Sequence, residues 1–343
     1  MPRVLLTGGS GFIAAHVLES LIHHGHSVVT TVRTQEKASK IAEAYKDLGK
    51  DRLDFAIVPD IAQEGAFEEA VVSDPPFDFV IHTASPFHFN VTDVQKQLLD
   101  PAVIGTTGIL KSVKKHAPSV KRVVITSSFA AIINTKESNG MWPSHTYSEK
   151  DWNGITLEEA SANPSNGYRA SKTFAEKAAW DFIEKENPPF DLVTMNPPMV
   201  FGPVVHHLNA LDALNTSNER IRDFIQGKQK NEKELPVTPI PIWIDVRDLA
   251  LAHVKAIETP DAGGKRFFVV SSEYFSNRDI LDIIRKNFPE YKDQLPDESV
   301  KGGEQPGFAK IDNSRVKGLL QQEFTTFEKS MVDLVKSLKN VGA

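Results

Sequence analysis

The stretch Arg3-Val4-Leu5-Leu6-Thr7-Gly8-Gly9-Ser10-Gly11-Phe12-Ile13-Ala14 opens with an apolar run, passes through a cluster of glycines and starts a second apolar segment. Val4 to Leu6 read as a strand buried on both faces, because no polar residue alternates with them. Phe12 onward reads as a helix to about His24. A strand, a glycine turn and a helix make half of a βαβ unit. Within the turn, Gly8, Gly11 and Ala14 recur as G-x-x-G-x-x-A. Gly8 permits the sharp turn out of the strand, and Ala14 lets helix and strand pack closely. Gly11 admits a phosphate to the helix N-terminus, where unpaired N–H groups and the helix dipole favour anions. The reading is a dinucleotide-binding turn in which Ser10, Phe12 and Ile13 also meet the cofactor.

Further apolar runs continue the pattern. Strand candidates are Arg3–Leu6, Ser27–Val32, Asp54–Val58, Phe79–His82, Arg122–Thr126, Asp191–Met195, Ile240–Ile244 and Arg266–Val269. Between them lie helix-length segments at Glu36–Leu48, Pro101–His116 and Tyr168–Lys185, and a last helix candidate covers Thr326–Leu338. Strand–helix alternation implies an α/β fold, a doubly wound parallel sheet of the Rossmann type. The regularity fails after about Phe201. Residues 1–200 are expected to form the dinucleotide-binding domain, with 238–258 returning to it. Residues 201–237 and 259–343 are expected mainly to form a smaller substrate-binding lobe.

The 343 residues carry a formal charge of -6 and no cysteine. The acidic total argues against general nucleic-acid binding. Missing cysteine excludes disulfides and thiolate catalysis, and fits a reducing compartment. No signal peptide and no run of about 18 apolar residues is visible. The expectation is a cytoplasmic protein away from the membrane, a monomer or homodimer acting on a small molecule. His23-His24-Gly25-His26 reads as a helix end rather than a metal cluster, and no metal site is expected. Glu158-Glu159 reads as a solvated helix face, and there is no Walker loop or nucleophile elbow.

The end of the second strand chooses the cofactor. An acidic residue there would hold the ribose 2′-hydroxyl of NAD. The chain instead has Arg33, with Lys37 one helical turn later. A guanidinium suits a 2′-phosphate, so NADP(H) is expected.

Tyr168 and Lys172 stand as Y-x-x-x-K and share one helix face. An ammonium beside a phenol favours the phenolate and lowers a pKa that is ordinarily about 10. Such a phenol can hand its proton to a carbonyl oxygen. Ser127 and Ser128 end the fifth strand at its carboxyl edge, where a hydroxyl could polarise the same oxygen. Adjacent side chains face opposite ways, so one of the two should point at the substrate.

Together Thr7-Gly8-x-x-Gly11-Phe12-Ile13-Ala14, Thr126-Ser127-Ser128, Tyr168-x-x-x-Lys172 and Asp245-Val246-Arg247-Asp248 resemble an extended short-chain dehydrogenase/reductase. More narrowly, the chain resembles fungal NADPH-dependent methylglyoxal and aldehyde/ketone reductases, relatives of the dihydroflavonol 4-reductases. The likeness runs from about Arg3 to the final helix. It implies NADPH-dependent reduction of aldehydes and ketones, with Ser128 polarising the carbonyl, Tyr168 as acid and Lys172 on the ribose beside the phenol. It also implies that Arg33 and Lys37 hold the 2′-phosphate. Asp60, Ile61, Thr83, Ala84, Ser85, Ser127, Pro197 and Met199 would line the cofactor, although spacing alone leaves Asp60-Ile61 and Thr83-Ala84-Ser85 open as ordinary loops. Phe87, Phe129, Asn196 and Met199 would form the substrate pocket. Relatives often carry tyrosine where this chain has Phe129 and Met199, so bulky apolar ketones are expected to suit it.

Two other readings use the same scaffold. A sugar-nucleotide epimerase or dehydratase keeps NAD bound, which Arg33 disfavours. A dinucleotide-sensing regulator without turnover has no need of the Tyr–Lys pair.

Overall fold

Apolar runs that lack alternation pair side by side in one sheet. The computed structural model describes residues 1–85, 93–136, 141–205, 214–304 and 307–342. Seven strands are parallel: β1 (Arg3–Thr7), β2 (Ser27–Val32), β3 (Leu53–Ile57), β4 (Phe79–His82), β5 (Arg122–Thr126), β6 (Asp191–Met195) and β7 (Lys265–Phe267). Their order across the sheet is β7-β6-β5-β4-β1-β2-β3. The chain winds one way from β1 and the other way from β4. A crevice therefore opens beyond the carboxyl ends of β1 and β4.

Helices cover both faces. On one face α1 (Phe12–His23) buries Ala14, Val17, Leu18 and Leu21 beside Leu249 and Val254 of α5 (Val246–Glu258). On the other, Ile109, Leu110 and Val113 of α3 (Asp100–His116) share a core with Ala179 of α4 (Pro164–Glu186). Each such leucine or valine, taken fully from water, contributes roughly 1.5–3 kcal/mol. α2 (Gln35–Ala44) starts at Thr34, whose side chain caps the Lys37 N–H. α4 begins four residues before the expected start, because Asn163 caps it and Pro164 takes the first helical position. Tyr168 thus sits in its second turn.

Two strands depart from expectation. Ile240–Ile244 does not join the main sheet. Trp243–Asp245 pairs instead with Met199–Phe201 in a separate parallel ladder. The reason is local: Pro197 and Pro198 follow β6 and lack ladder donors, so the chain leaves the sheet and resumes pairing at Met199. The second departure is β7, which completes the sheet edge against β6 from within the stretch allotted mainly to the substrate lobe. That lobe has its own core of Ile221, Phe224, Trp243, Phe275, Ile284, Met331 and Leu334. Among the described residues no helix is long and apolar enough to cross a membrane.

Candidate active site

The β1–α1 turn is shaped by contacts rather than by glycine content alone. Gly8 has φ 79°, a left-handed conformation that disfavours side chains. The Gly8 N–H donates to Thr31 Oγ1 at 3.1 Å and the Gly9 N–H to the Thr31 carbonyl at 2.8 Å. A Cβ on Gly9 would lie 2.1 Å from Thr30 Oγ1. Gly9 is thus a steric requirement that the G-x-x-G-x-x-A reading passed over. Gly11 is the N-cap of α1, leaving the first N–H groups of the helix turned toward the crevice.

A cavity of about 1000 Å³ runs from this turn along the carboxyl edge of the sheet. Gly8, Ser10, Gly11, Phe12 and Ile13 line its beginning. Arg33, Lys37, Ile61, Thr83, Ala84 and Ser85 line its flanks. Ser128, Phe129, Tyr168, Lys172 and Met199 line the far part. A Cβ on Gly8 would stand 3.0 Å from Ala84 Cα, so the turns after β1 and β4 touch as the crevice requires. Arg33 and Lys37 are exposed, and no carboxylate pairs with either among the described residues.

In the far part, the Tyr168 hydroxyl donates to Ser128 Oγ at 3.4 Å. Ser128 Oγ also accepts from the Ala130 N–H at 3.1 Å. With both lone pairs engaged, the serine proton is free to be donated into the cavity. Lys172 Nζ donates to Ser85 Oγ at 2.9 Å and lies 6.0 Å from the Tyr168 ring centroid. Burial lowers the Lys172 ammonium to about 8. Burial raises the Tyr168 phenol above its ordinary value, against the lowering effect of Ser128. For the protein alone the phenol is therefore not acidified as expected: desolvation outweighs the lowering contact with Ser128, and the Lys172 ammonium is engaged with Ser85. The phenol is a protonated acid at neutral pH.

These elements, in this order around one crevice, are matched by known proteins. A family model described as NAD dependent epimerase/dehydratase family covers residues 4–271. The chain belongs to that family. It is 46% identical over 338 residues to the ketoreductase azaE of Aspergillus niger, covering 98% of this chain and 97% of that one. It is 36% identical to the NADPH-dependent methylglyoxal reductase GRE2 of Saccharomyces cerevisiae, covering 98% of this chain and 97% of that one. Among solved structures, Gre2 of Candida albicans in complex with NADPH superposes with a TM-score of 0.90 at 37% identity, each chain covered completely at 100%.

Within this family member, several expected site residues stand elsewhere. Ser127 faces away from the cavity and donates to Glu176. Its backbone N–H is tied to the Met195 carbonyl at 2.7 Å, and alternation along the strand does the rest. Asn196 is fully buried behind Ser128, donating to the Ser128 carbonyl at 3.2 Å and to Glu176 at 2.6 Å. Pro197 accepts the Phe129 N–H at 2.8 Å and leaves the cavity wall to Pro198. Asp60 is exposed at the rim, its carboxylate held by the Ala62 N–H and the Gln63 side chain. Phe129 reaches the wall, but its ring stacks on Phe268 with centroids 5.2 Å apart. Phe87 lies outside the described residues.

Sequence reasoning also missed residues. Glu176 continues the row Tyr168, Lys172 at helical spacing, and its carboxylate accepts from Ser127, Thr194, Asn196 and Arg266. It ties α4 to the strand ends behind Ser128, and the i, i+4, i+8 spacing was the available signal. Ser165 and Arg169 line the cavity from the same helix, whereas Leu214, Asn215 and Ile240 arrive from the second lobe without any sequence signature. The expected solvated pair Glu158-Glu159 divides: Glu159 completes a capping box with Thr156. His24 and His26 both meet Glu258 Oε1, at 2.9 and 3.1 Å, fastening the end of α1 to α5.

Proposed function

We propose that this protein reduces aldehydes and ketones to alcohols with NADPH, through Ser128, Tyr168 and Lys172. The observation that carries the reading is the Tyr168–Ser128 contact of 3.4 Å in one cavity with the glycine turn. The cavity suits a dinucleotide: the turns at Gly8 and Ala84 exclude side chains, and Arg33 with Lys37 supplies unpaired positive charge where a 2′-phosphate would lie. When bound, the cofactor supplies the hydride that reaches the carbonyl carbon. Ser128 would donate a hydrogen bond to the carbonyl oxygen, keeping its proton, and stabilise the negative charge that develops there. Tyr168 delivers its phenolic proton to the same oxygen, completing the alcohol. Lys172 orients the ribose and stabilises the phenolate left behind. Asn196 and Glu176 hold the Ser128 backbone in register with α4.

The names of the relatives, a ketoreductase and a methylglyoxal reductase, support carbonyl reduction over epimerisation. We place the activity in the cytoplasm, in keeping with a chain that has no cysteine. The deciding measurement is loss of 340 nm absorbance on mixing NADPH with a panel of ketones. Tyr168→Phe is expected to lower kcat at least about 100-fold while NADPH still binds. Equal turnover by wild type and variant would remove Tyr168 from the proton transfer.

A further inference from the structure

One cation on the cavity wall has no role in the scheme above. The lining residues include Arg33, Lys37, Arg169 and Lys172 and, among the described residues, no aspartate or glutamate. Arg33 and Lys37 sit at the end of β2, and Lys172 stands beside the phenol. Arg169 follows Tyr168 directly on α4 and shares the wall with Ser165 one turn earlier.

Its surroundings hold few partners for a guanidinium. Arg169 is half-buried, and among the described residues its guanidinium donates one hydrogen bond, to the neutral amide oxygen of Asn166 at 3.1 Å. Burial holds its pKa below the ordinary arginine value, and no neighbouring charge contributes. Several other inward-turned arginines meet carboxylates, whereas Arg3, Arg52 and Arg278 are held by a hydroxyl or by backbone carbonyls away from the cavity. Arg122 meets Asp191, Arg247 meets Asp245 and Asp333, and Arg266 meets Glu176. Arg220 lacks a carboxylate too, but Thr238 and Asn277 satisfy it and it does not line the cavity. Arg169 thus presents spare N–H donors to the cavity, with no carboxylate among the described residues to meet them.

We infer that Arg169 is a second recognition point for substrate, binding a carboxylate carried by the same molecule as the reacting carbonyl. The planar fork of a guanidinium matches a carboxylate in two parallel hydrogen bonds. Because Arg169 adjoins the proton donor, the acid group must lie a short chain away from the ketone. Ile133, Leu214 and Ile240 on the same cavity accept the apolar remainder. The substrate class is therefore a short oxo acid with an apolar body. This assignment rests on the carbonyl-reductase reading and specifies its substrate.

The test compares acid and ester of one skeleton, acetoacetate with methyl acetoacetate and levulinate with methyl levulinate, at saturating NADPH. In the wild type, kcat/KM is expected to favour the acid of at least one pair by about tenfold or more. Arg169→Gln should lower that acid-to-ester ratio about ten- to hundredfold, and Arg169→Lys, which keeps the charge but loses the fork, should fall between. Calorimetric titration of the favoured acid into protein loaded with NADP+ gives a readout independent of turnover, and the Gln variant should lose that heat. A wild-type ratio at or below one for both pairs, or a ratio indifferent to Arg169→Gln, overturns the assignment. If the Gln variant does not fold, the wild-type ratio and its drop in the Lys variant decide. Ester reduction without any dependence on Arg169 leaves the reductase reading intact and this one refuted. Arg169-dependent binding of the acid without reduction of either compound does the reverse.

Discussion

At the scale of single residues, Lys172 meets two opposing demands. In the proposed scheme its ammonium serves the phenol and the ribose while charged, yet its burial brings the pKa down to about 8. Below that value the group is charged; above it the group is neutral. A bound anionic dinucleotide favours the charged form. NADPH affinity is therefore expected to weaken, by about ten- to hundredfold, as pH rises through about 8. Fluorescence titration across pH 6 to 10 should show that limb in wild type and a flat profile in Lys172→Met. Affinity independent of pH in wild type would take the ammonium out of the cofactor site. The same burial has a signed effect on stability. Folding lowers this pKa, so the unfolded chain holds the extra proton between about 8 and about 10.4. The burial cost is fully present below pH 8 and fades as pH rises across that window. Tyr168 and Lys172 were legible because both stand on one helix at a spacing that forces a shared face. Arg169 was not, because nothing in a sequence shows that an arginine lacks a carboxylate.

At the scale of elements, the β1–α1 turn is seated on β2, and Gly9 is the point of closest approach. A Cβ there would lie 2.1 Å from Thr30 Oγ1 and 3.0 Å from Thr30 Cγ2. Gly9 needs no left-handed backbone, so the obstacle is contact alone. Gly9→Ala is expected to cost about 1–3 kcal/mol by overpacking. Thr30→Ala removes both offending atoms and loses the hydrogen bond from Thr30 Oγ1 to the Leu6 carbonyl. The double variant should be more stable than the sum of the single effects predicts, by about 1 kcal/mol or more in urea unfolding. Simple additivity would mean that the turn moves away rather than pressing on β2. The strands themselves were readable because a strand buried on both faces is an unbroken apolar run, as in Val4-Leu5-Leu6 and Val123-Val124-Ile125. The ladder between Met199–Phe201 and Trp243–Asp245 was not readable as such: two three-residue strands far apart in sequence carry no periodicity of their own.

At the scale of the whole molecule, winding in two directions from β1 and β4 dictates where a ligand goes, and that much follows from strand order once the apolar runs are recognised. What closes the crevice does not follow: Leu214–Ser217 and Ile240 reach the cavity through the tertiary packing of the second lobe. Because residues distant in sequence line the cavity together, binding should register as stability of the entire chain. NADPH at about 100 times its Kd should add about 2.7 kcal/mol, a rise in Tm of roughly 4 °C at this chain length. NADH differs only in the 2′-phosphate, so its shift under the same conditions is expected to be smaller by the contribution of Arg33 and Lys37. Truncating the guanidinium in Arg33→Ala should weaken NADPH about ten- to hundredfold and bring its thermal shift down toward that of NADH. If Arg33→Ala instead lowers both shifts equally, the arginine supports the end of β2 and does not read the phosphate. If neither cofactor shifts Tm, the crevice is not the dinucleotide site.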